Sequence, residues 1–243
     1  VTGRADYIHL DVMDGMFVPN KTFDHNKIRE LRPLTVIPFD THLMINEPVR
    51  YVKDYVDAGS DIITVHAEVC DASSFGQIHD ILKANQVGVG LAINPDTELP
   101  EWTIPFIPKL DQIIVMSVVP GKSGQKYIET THDKTRRLVQ FLNQHNFDGY
   151  IEADGGVTLD NIGACFNDGA RVFVGGSAII GQQDVRGIIR EFRNKIAYAR
   201  RKMLIQKAHE LGGNELVAKW IDLHVIGEKK NQLLTISKEL GYS

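Results

Sequence analysis

The feature that constrains this chain most is a repeated alternation of a short β-branched run, a polar turn and a longer segment with helical spacing. Parallel strands joined by crossover helices produce this alternation, and near-continuous apolar strands are typical of a sheet that helices cover. Seven strands are predicted, at residues 7–12, 37–45, 62–68, 88–94, 112–118, 150–155 and 171–175. The sequence therefore predicts an α/β protein with a parallel sheet.

Amphipathic segments lie between these strands, and they predict helices over 48–58, 74–85, 128–145, 159–168 and 185–204. Gly59, Gly149 and Gly169 follow three of them, in positions where glycine commonly ends a helix. A doubly wound open sheet and a closed barrel both fit this order of elements. Polar residues gather at the carboxyl ends of nearly every predicted strand, which favours the (β/α)8 TIM barrel.

A closed barrel of this type needs eight strands, and only six residues precede the first predicted strand. We therefore expect the first βα unit to be absent from this chain. We expect two domains, a (β/α) barrel over 1–204 and a C-terminal helical extension over 205–243. Residues 195–243 contain nine Lys or Arg against five Asp or Glu. This modest basic excess favours a solvated or oligomer-packing extension over a nucleic-acid-binding one.

Composition excludes several classes of protein. No apolar run approaches the roughly 20 residues that span a bilayer, so no membrane segment is expected. The net charge of −4 is too small to indicate nucleic acid as the main partner. Cys70 and Cys165 are far apart, which excludes a disulfide framework and a paired-cysteine zinc site. We expect a cytoplasmic protein that forms a homo-oligomer.

Four residues at strand ends are candidates for a metal centre. His9 and Asp11 lie two apart on one strand, so their side chains project to the same side. His42 lies near the end of the next strand, and Asp154 ends the sixth. Imidazole nitrogen and carboxylate oxygen together suit Zn²⁺, Fe²⁺, Mn²⁺ or Co²⁺. The pattern predicts one divalent metal ion, although a buried polar pair near a barrel mouth also explains His9 and Asp11 alone.

Three glycine-rich turns follow predicted strands, at residues 120–125, 155–156 and 175–177. Glycines let backbone N–H groups approach an anion closely, and barrel enzymes commonly bind phosphate at the loops after their last two strands. Any one turn could be an ordinary strand-to-helix connection. The three together predict a phosphorylated ligand.

The segment Ile8–Asn20, which reads IHLDVMDGMFVPN, resembles the signature of the ribulose-phosphate 3-epimerase family. Five later segments are similar to that family in the same order: 40–44, 90–95, 116–121, 154–157 and 175–179. The resemblance covers about residues 4 to 200. It implies a TIM barrel and the metal-dependent interconversion of D-ribulose 5-phosphate and D-xylulose 5-phosphate, through two-carboxylate proton transfer and an ene-diolate.

The resemblance also implies roles for individual residues. Asp11 and Asp154 correspond to the family's acid/base carboxylates, and with His9 and His42 they correspond to its metal ligands, Zn²⁺ being the expected ion. The expected substrate and phosphate contacts are His42, Gly121, Lys122, Ser123, Gly124, Gly155, Gly156, Gly176 and Ser177. The expected pocket-lining residues are Met13, Met44 and Met116. His66 and Glu68 are expected to support the ligands without binding the metal.

The chain departs from the family in two places. The family's opening strand, with a substrate-contacting serine, has no counterpart here, and Lys122 and Ser123 replace the usual residues of one phosphate turn. A ketohexose-phosphate epimerase of the allulose type and a catalytically impaired phospho-sugar binding or scaffold protein therefore remain as alternatives. Aldol cleavage or decarboxylation is disfavoured because no Schiff-base lysine ends a predicted strand.

Overall fold

The structure, a computed structural model, describes residues 5–210, with the side chains of 207–210 left out. All seven predicted strands are present in one parallel sheet, in the order β1 to β7. The strands are β1 Ile8–Met13, β2 Phe39–Met44, β3 Ile62–His66, β4 Gly88–Ile93, β5 Gln112–Met116, β6 Tyr150–Asp154 and β7 Val172–Val174. Each predicted strand overlaps its observed counterpart, and the α/β prediction is confirmed.

Helices follow most of the strands. They are α1 His25–Leu31, α2 Pro48–Ala58, α3 Ala72–Ala84, α4 Thr130–Gln144, α5 Ile162–Asp168, α6 Ser177–Ile180 and α7 Val185–Glu210. Helix α3 begins with a capping box, in which Asp71 accepts from the backbone N–H of Ser74 and the Ser74 hydroxyl accepts from that of Asp71. Helix α2 ends at Gly59, whose φ of 98° only glycine adopts readily.

The predicted helix end at Gly149 is wrong. Helix α4 ends at Gln144, and His145 caps it through its backbone N–H to Leu142. The chain then turns through Asn146, which has a φ of 56°. Gly149 instead lies against Asp111, the residue before β5, where a Cβ would come within 2.5 Å of the Asp111 carbonyl oxygen. Its small size serves strand packing rather than helix termination.

Alternation along the strands divides the side chains into two layers. Residues such as Leu10, Leu43 and Ile113 face the helices and belong to the large apolar core. Their sequence neighbours face the inside of the sheet. The inward set is partly apolar, as at Ile114 and Met116, and otherwise consists of ionisable and polar side chains. The inside of the sheet is therefore where the candidate site lies.

Contacts between distant strands show that the sheet is rolled into a barrel-like shape. His9 on β1 lies 3.2 Å from Glu152 on β6, and Gln112 on β5 donates to Asp40 on β2 over 3.0 Å. Helix α7 packs against α5, and its Arg193 pairs with Asp6 just before β1. Within residues 5–210 the sheet contains seven strands, one fewer than a complete (β/α)8 barrel. The barrel class and the strand count match the predictions.

The predicted boundary between residues 204 and 205 falls inside helix α7, which continues to Glu210. The rest of the predicted extension, residues 211–243, lies outside the described residues, so the division into two domains stays a prediction. Among the helices of residues 5–210, none has an apolar stretch long enough to cross a membrane.

Candidate metal centre and substrate pocket

Four predicted ligands from three strands meet at one point inside the barrel. Parallel register places Asp11 of β1 directly beside His42 of β2, and the curl of the sheet brings Asp154 of β6 to the same place. His42 Nδ1 lies 3.3 Å from Asp11 Oδ1 and 3.5 Å from Asp154 Oδ2. His9 Nε2 lies 3.3 Å from Asp11 Oδ1 and 3.8 Å from Asp154 Oδ2. One ligand atom from each residue lies within 4.8 Å of the other three.

The donor set fits a divalent cation. His9 Nε2 is buried and has no hydrogen-bond partner, although it faces two carboxylates. A buried polar atom without a partner is costly in a folded protein, and a cation between these four groups would satisfy it. Two nitrogens and two carboxylate oxygens are also the mixture that first-row divalent metals prefer. The residues present therefore fit the predicted metal.

The carboxylate of Asp11 is held in its charged form. Burial alone would raise the pKa of Asp11, but the neighbouring imidazoles of His42 and His9 outweigh burial and place this pKa well below its ordinary value. Burial also opposes charge on His9, yet the surrounding carboxylates raise the pKa of His9 well above its ordinary value. The centre thus favours positive charge between carboxylates, as a cation site requires.

Two buried acidic side chains contact Nδ1 of His9, the ring nitrogen that faces away from the other three ligands. His9 Nδ1 lies 2.8 Å from Asp40 Oδ2 and 3.2 Å from Glu152 Oε1. Both oxygens of Glu152 are buried and lack an aligned hydrogen bond, and burial together with the charge of Asp40 raises the pKa of Glu152 well above its ordinary value. Burial thus favours the neutral form of Glu152, whereas the hydrogen bond and charge of His9 outweigh burial at Asp40 and lower its pKa.

His66 and Glu68 lie behind His42, as expected for residues that support a ligand. The Nε2 atoms of His66 and His42 are 2.9 Å apart, and His66 Nδ1 lies 3.0 Å from Glu68 Oε2. Glu68 Oε1 accepts from the backbone N–H of Asn94 over 2.7 Å. Hydrogen bonds from His66 and Asn94 outweigh the effect of burial and lower the pKa of Glu68 to about 2.

A cavity of about 950 Å³ opens at the carboxyl ends of the strands, beside the metal-ligand cluster. Of the predicted site residues, it is lined by Asp11, Met13, Met44, Met116, Gly121, Lys122, Ser123, Gly124, Asp154, Gly155, Gly156, Gly176 and Ser177. His9 and His42 are not in its wall, and they contact Asp11 and Asp154 instead. The structure therefore brings every predicted site residue either into this cavity or into direct contact with its carboxylates.

The glycine turns form one end of the cavity. Gly155 and Gly156 have φ angles of 112° and 64°, which side-chain-bearing residues rarely adopt. A Cβ on Gly156 would lie 2.5 Å from the backbone nitrogen of Tyr127, so the two turns can approach only because this residue is glycine. Gly176 has open space where a Cβ would stand. The chain thus exposes backbone at two turns where an anion could bind.

Some residues of the site were not identified from the sequence. Asp40 and Glu152 each lie two residues before a predicted ligand on the same strand, so the alternation that linked His9 to Asp11 also places them inside the barrel. Asn20 donates from its side-chain amide to the Gly121 carbonyl and joins the loop after β1 to a phosphate turn. Nothing in the sequence signals that contact.

Comparison with known proteins gives a consistent result. A family model described as "Ribulose-phosphate 3 epimerase family" matches residues 2–180. A ribulose-phosphate 3-epimerase of Bacillus subtilis (strain 168) is 39% identical over 193 residues, which are 79% of this chain and 87% of that protein. One from Escherichia coli (strain K12) is 39% identical over 194 residues, 79% of this chain and 85% of that protein.

Solved structures with lower sequence identity share the fold. KGPDC from Streptococcus mutans superposes with a TM-score of 0.59 at 16% identity, covering 82% of this chain and 88% of that one. The 3-hexulose-6-phosphate synthase from Salmonella typhimurium gives a TM-score of 0.58 at 18% identity, covering 80% and 87%. The match to the family model and the identity to its enzymes, over most of the chain, show that this protein is an enzyme of the ribulose-phosphate 3-epimerase family.

Proposed function

We propose that this protein interconverts D-ribulose 5-phosphate and D-xylulose 5-phosphate by moving one proton at C3. One observation carries the proposal: Asp11 on β1 and Asp154 on β6 both line the same cavity, beside the imidazoles of His9 and His42. Inversion at a carbon beside a ketone requires a base on one face and an acid on the other. Two carboxylates in one pocket supply both groups.

The two carboxylates differ in their exposure to the cavity and act on opposite faces of the substrate. Asp11 has 45% of its side chain exposed towards the cavity, whereas Asp154 has 10% exposed. The imidazoles of His9 and His42 hold Asp11 ionised, so it can accept the C3 proton. In this direction Asp154 starts protonated and gives its own proton to the opposite face, so the turnover ends with Asp11 protonated and Asp154 ionised. The reverse reaction starts from that state and uses the same groups in the opposite order.

His9, Asp11, His42 and Asp154 would hold one divalent metal, for which we propose Zn²⁺. When bound, the metal supplies Lewis-acid stabilisation of the negative charge that develops on the substrate oxygens in the ene-diolate. His9 Nε2 and His42 Nδ1 face Asp11 and would fix the position of the metal. Asp40 orients the His9 ring through the opposite nitrogen.

The glycine turns would bind the phosphate of the substrate. Backbone N–H groups in such turns form anion-binding concavities, and Gly121 to Gly124, Gly155, Gly156, Gly176 and Ser177 all line the cavity. Lys122 lies in the same wall and could add a positive charge to the phosphate contacts. The hydroxyl of Ser123 adds a further donor in that turn.

Three methionines would hold the carbon chain of the substrate. Met13 and Met44 are paired across β1 and β2, and Met116 on β5 lies beside Asp154 in register. Met44 and Met116 are almost fully buried, so they form an apolar floor. Unbranched thioether side chains adapt to irregular surfaces and offer no strong hydrogen bond that would compete for the sugar hydroxyls.

The proposal also includes a homo-oligomer and a cytoplasmic location. The location is supported by the lack of a disulfide framework, since the two cysteines, Cys70 and Cys165, are both free.

Steady-state assays of purified, Zn²⁺-loaded protein test the reaction and the substrate together. We expect turnover of D-ribulose 5-phosphate, and faster turnover of allulose 6-phosphate would make the hexose epimerase the correct reading. Asp154→Asn should lower kcat by about 10²- to 10⁴-fold, the usual contribution of a general acid or base. Phosphate should still compete for the pocket of that variant.

Asp160→Asn is the matched control, because Asp160 lines the same cavity but lies outside the cluster of four ligands. We expect this variant to keep most of the turnover. Equal losses in both variants would mean that the charge of the cavity matters but that Asp154 has no role in proton transfer.

A further inference from the structure

We propose that Glu68 and His66 are positioning residues that hold His42 in one tautomer, with the lone pair of Nδ1 facing the metal centre. The inference rests on the metal centre of the proposed function and deepens it. It concerns a chain of hydrogen bonds that begins outside the cavity wall and ends at a ligand atom. The chain runs from Glu68 through His66 to His42.

The first link determines which nitrogen of His66 carries hydrogen. Glu68 uses both carboxylate oxygens as acceptors, one from the backbone N–H of Asn94 over 2.7 Å and one from His66 Nδ1 over 3.0 Å. An ionised carboxylate has no hydrogen to donate, so His66 Nδ1 must be the donor. A neutral imidazole has one donor and one acceptor, and the Nε2 atom of His66 is therefore an acceptor.

The second hydrogen bond determines which nitrogen of His42 carries hydrogen. Its Nε2 atom lies 2.9 Å from His66 Nε2, and two nitrogens at that distance need one hydrogen between them. Because His66 accepts, His42 donates through Nε2. His42 Nδ1 then keeps its lone pair, 3.3 Å from Asp11 Oδ1 and 3.5 Å from Asp154 Oδ2. A hydrogen on Nδ1 would occupy the position that a metal needs.

Packing keeps the two rings in place. The side chains of His42 and His66 are both fully buried. Their rings are nearly parallel, with centroids 5.0 Å apart, and Phe17 covers His66 with a centroid distance of 4.5 Å. Neither ring can turn to offer its other nitrogen without displacing these neighbours. The hydrogen-bond direction therefore determines the ligand atom.

The tautomer of His9, the other imidazole ligand, is determined by a single carboxylate, and the nitrogen that faces the centre is Nε2 instead of Nδ1. Asp40 Oδ2 lies 2.8 Å from His9 Nδ1, so Nε2 of His9 is the nitrogen that faces the centre. One carboxylate acting directly selects Nε2, and one carboxylate acting through a second histidine selects Nδ1.

Substitution of Glu68 tests the relay because glutamine offers one oxygen where the carboxylate offers two. The backbone N–H of Asn94 needs that oxygen, so in Glu68→Gln the amide NH₂ faces His66 Nδ1. His66 must then accept at Nδ1 and donate at Nε2, which turns a hydrogen on His42 towards Asp11. Removing such an outer partner typically weakens metal binding about 10- to 100-fold, and we expect that loss of Zn²⁺ affinity here.

Two further variants separate the relay from general destabilisation. His66→Gln can place its amide oxygen where Nε2 stood, so it should bind Zn²⁺ more tightly than His66→Phe, which leaves His42 Nε2–H without an acceptor. Asp80→Asn is the matched control, because Asp80 also accepts from a histidine, His79, at an exposed site over 3.0 Å. Zn²⁺ affinity in each variant is measured by competition with a chromophoric chelator. Parent-like affinity in Glu68→Gln would overturn the relay.

Direct observation of the tautomers completes the test. In full-length protein labelled with ¹⁵N-histidine, long-range ¹H–¹⁵N spectra should show hydrogen on Nδ1 of His66 in the parent and on Nε2 in Glu68→Gln. With ¹¹³Cd²⁺ bound, coupling should reach Nδ1 of His42. If cadmium couples to His9 and His42 while His66 carries its hydrogen on Nε2, the relay is wrong and the metal centre stands. If cadmium couples to neither histidine, the metal centre itself is wrong, and the relay falls with it.

Discussion

The close approach of two backbone turns at Gly156 gives a quantitative prediction for Gly156→Ala. Gly156 has a φ of 64°, and an alanine there costs about 1–2 kcal/mol in backbone strain. Its Cβ would also lie 2.5 Å from the Tyr127 nitrogen, well inside the 3.5–4.0 Å of a favourable contact. Overpacking of this kind adds about 1–3 kcal/mol. We expect the free energy of unfolding to fall by about 2–5 kcal/mol.

The same substitution should weaken substrate binding, because the loop bearing Tyr127 must move away from the phosphate turn. Loss of one hydrogen bond to a charged group costs about 1.5–3 kcal/mol. That range corresponds to an increase in KM for the phosphorylated substrate of about 10- to 150-fold. Urea unfolding measures the stability change, and steady-state kinetics measure KM.

Gly59→Ala is the matched control. Gly59 also has a positive φ, 98°, and its Cβ would lie 2.8 Å from Cγ and Cδ of Arg32, whose guanidinium is held by Asp61 and by the carbonyls of Thr35 and Ile37. We expect a similar loss of about 2–5 kcal/mol in stability, with KM unchanged because Gly59 does not line the cavity. If both alanine variants leave KM unchanged, the phosphate does not bind at the turn containing Gly156.

Two further predictions concern groups beside the centre. Lys134→Met should lower the free energy of unfolding by about 2–4 kcal/mol, as measured by urea titration. The buried Lys134 ammonium donates to the carbonyls of Asn94 and Thr97, and both carbonyls would lose their partner. Parent-like stability of the variant would contradict this prediction. The pKa of Glu68 is lowered in the folded protein to about 2, so its contribution to stability is complete above about pH 4.5, the unfolded value, and is lost as pH falls towards 2. The stability difference between the parent and Glu68→Ala should therefore shrink between pH 4.5 and 2, and a difference that grows in that range would refute the assignment.

Much of the fold was predictable because local signals agree with the tertiary structure. The β-branched runs around Ile63 and Ile113 are buried on the helix side of the sheet, so apolar continuity located the strands. Helix α1 was missed because only Ile28 of its seven residues is buried, which leaves no amphipathic pattern. Gly149 was misread because a glycine needed for strand packing looks the same in sequence as one that ends a helix.

The candidate site was predictable only in part. Alternation along one strand joined His9 to Asp11, positions at predicted strand ends added His42 and Asp154, and the family resemblance then implied the role of each. The contact of His9 with Glu152 depends on the curl that brings β1 to β6, and no local pattern reports such a distance. The link between His66 and His42 depends on ring orientation, which sequence spacing does not determine.

The central claim is that Asp11 and Asp154 move a proton at C3 of a sugar phosphate. The most direct test is to incubate the Zn²⁺-loaded protein with D-ribulose 5-phosphate in D₂O and to examine the product by NMR and mass spectrometry. The account predicts D-xylulose 5-phosphate with deuterium at C3, and formation of that product about 10²- to 10⁴-fold more slowly with Asp154→Asn. Metal-loaded protein that binds the substrate but leaves C3 free of deuterium would contradict the account.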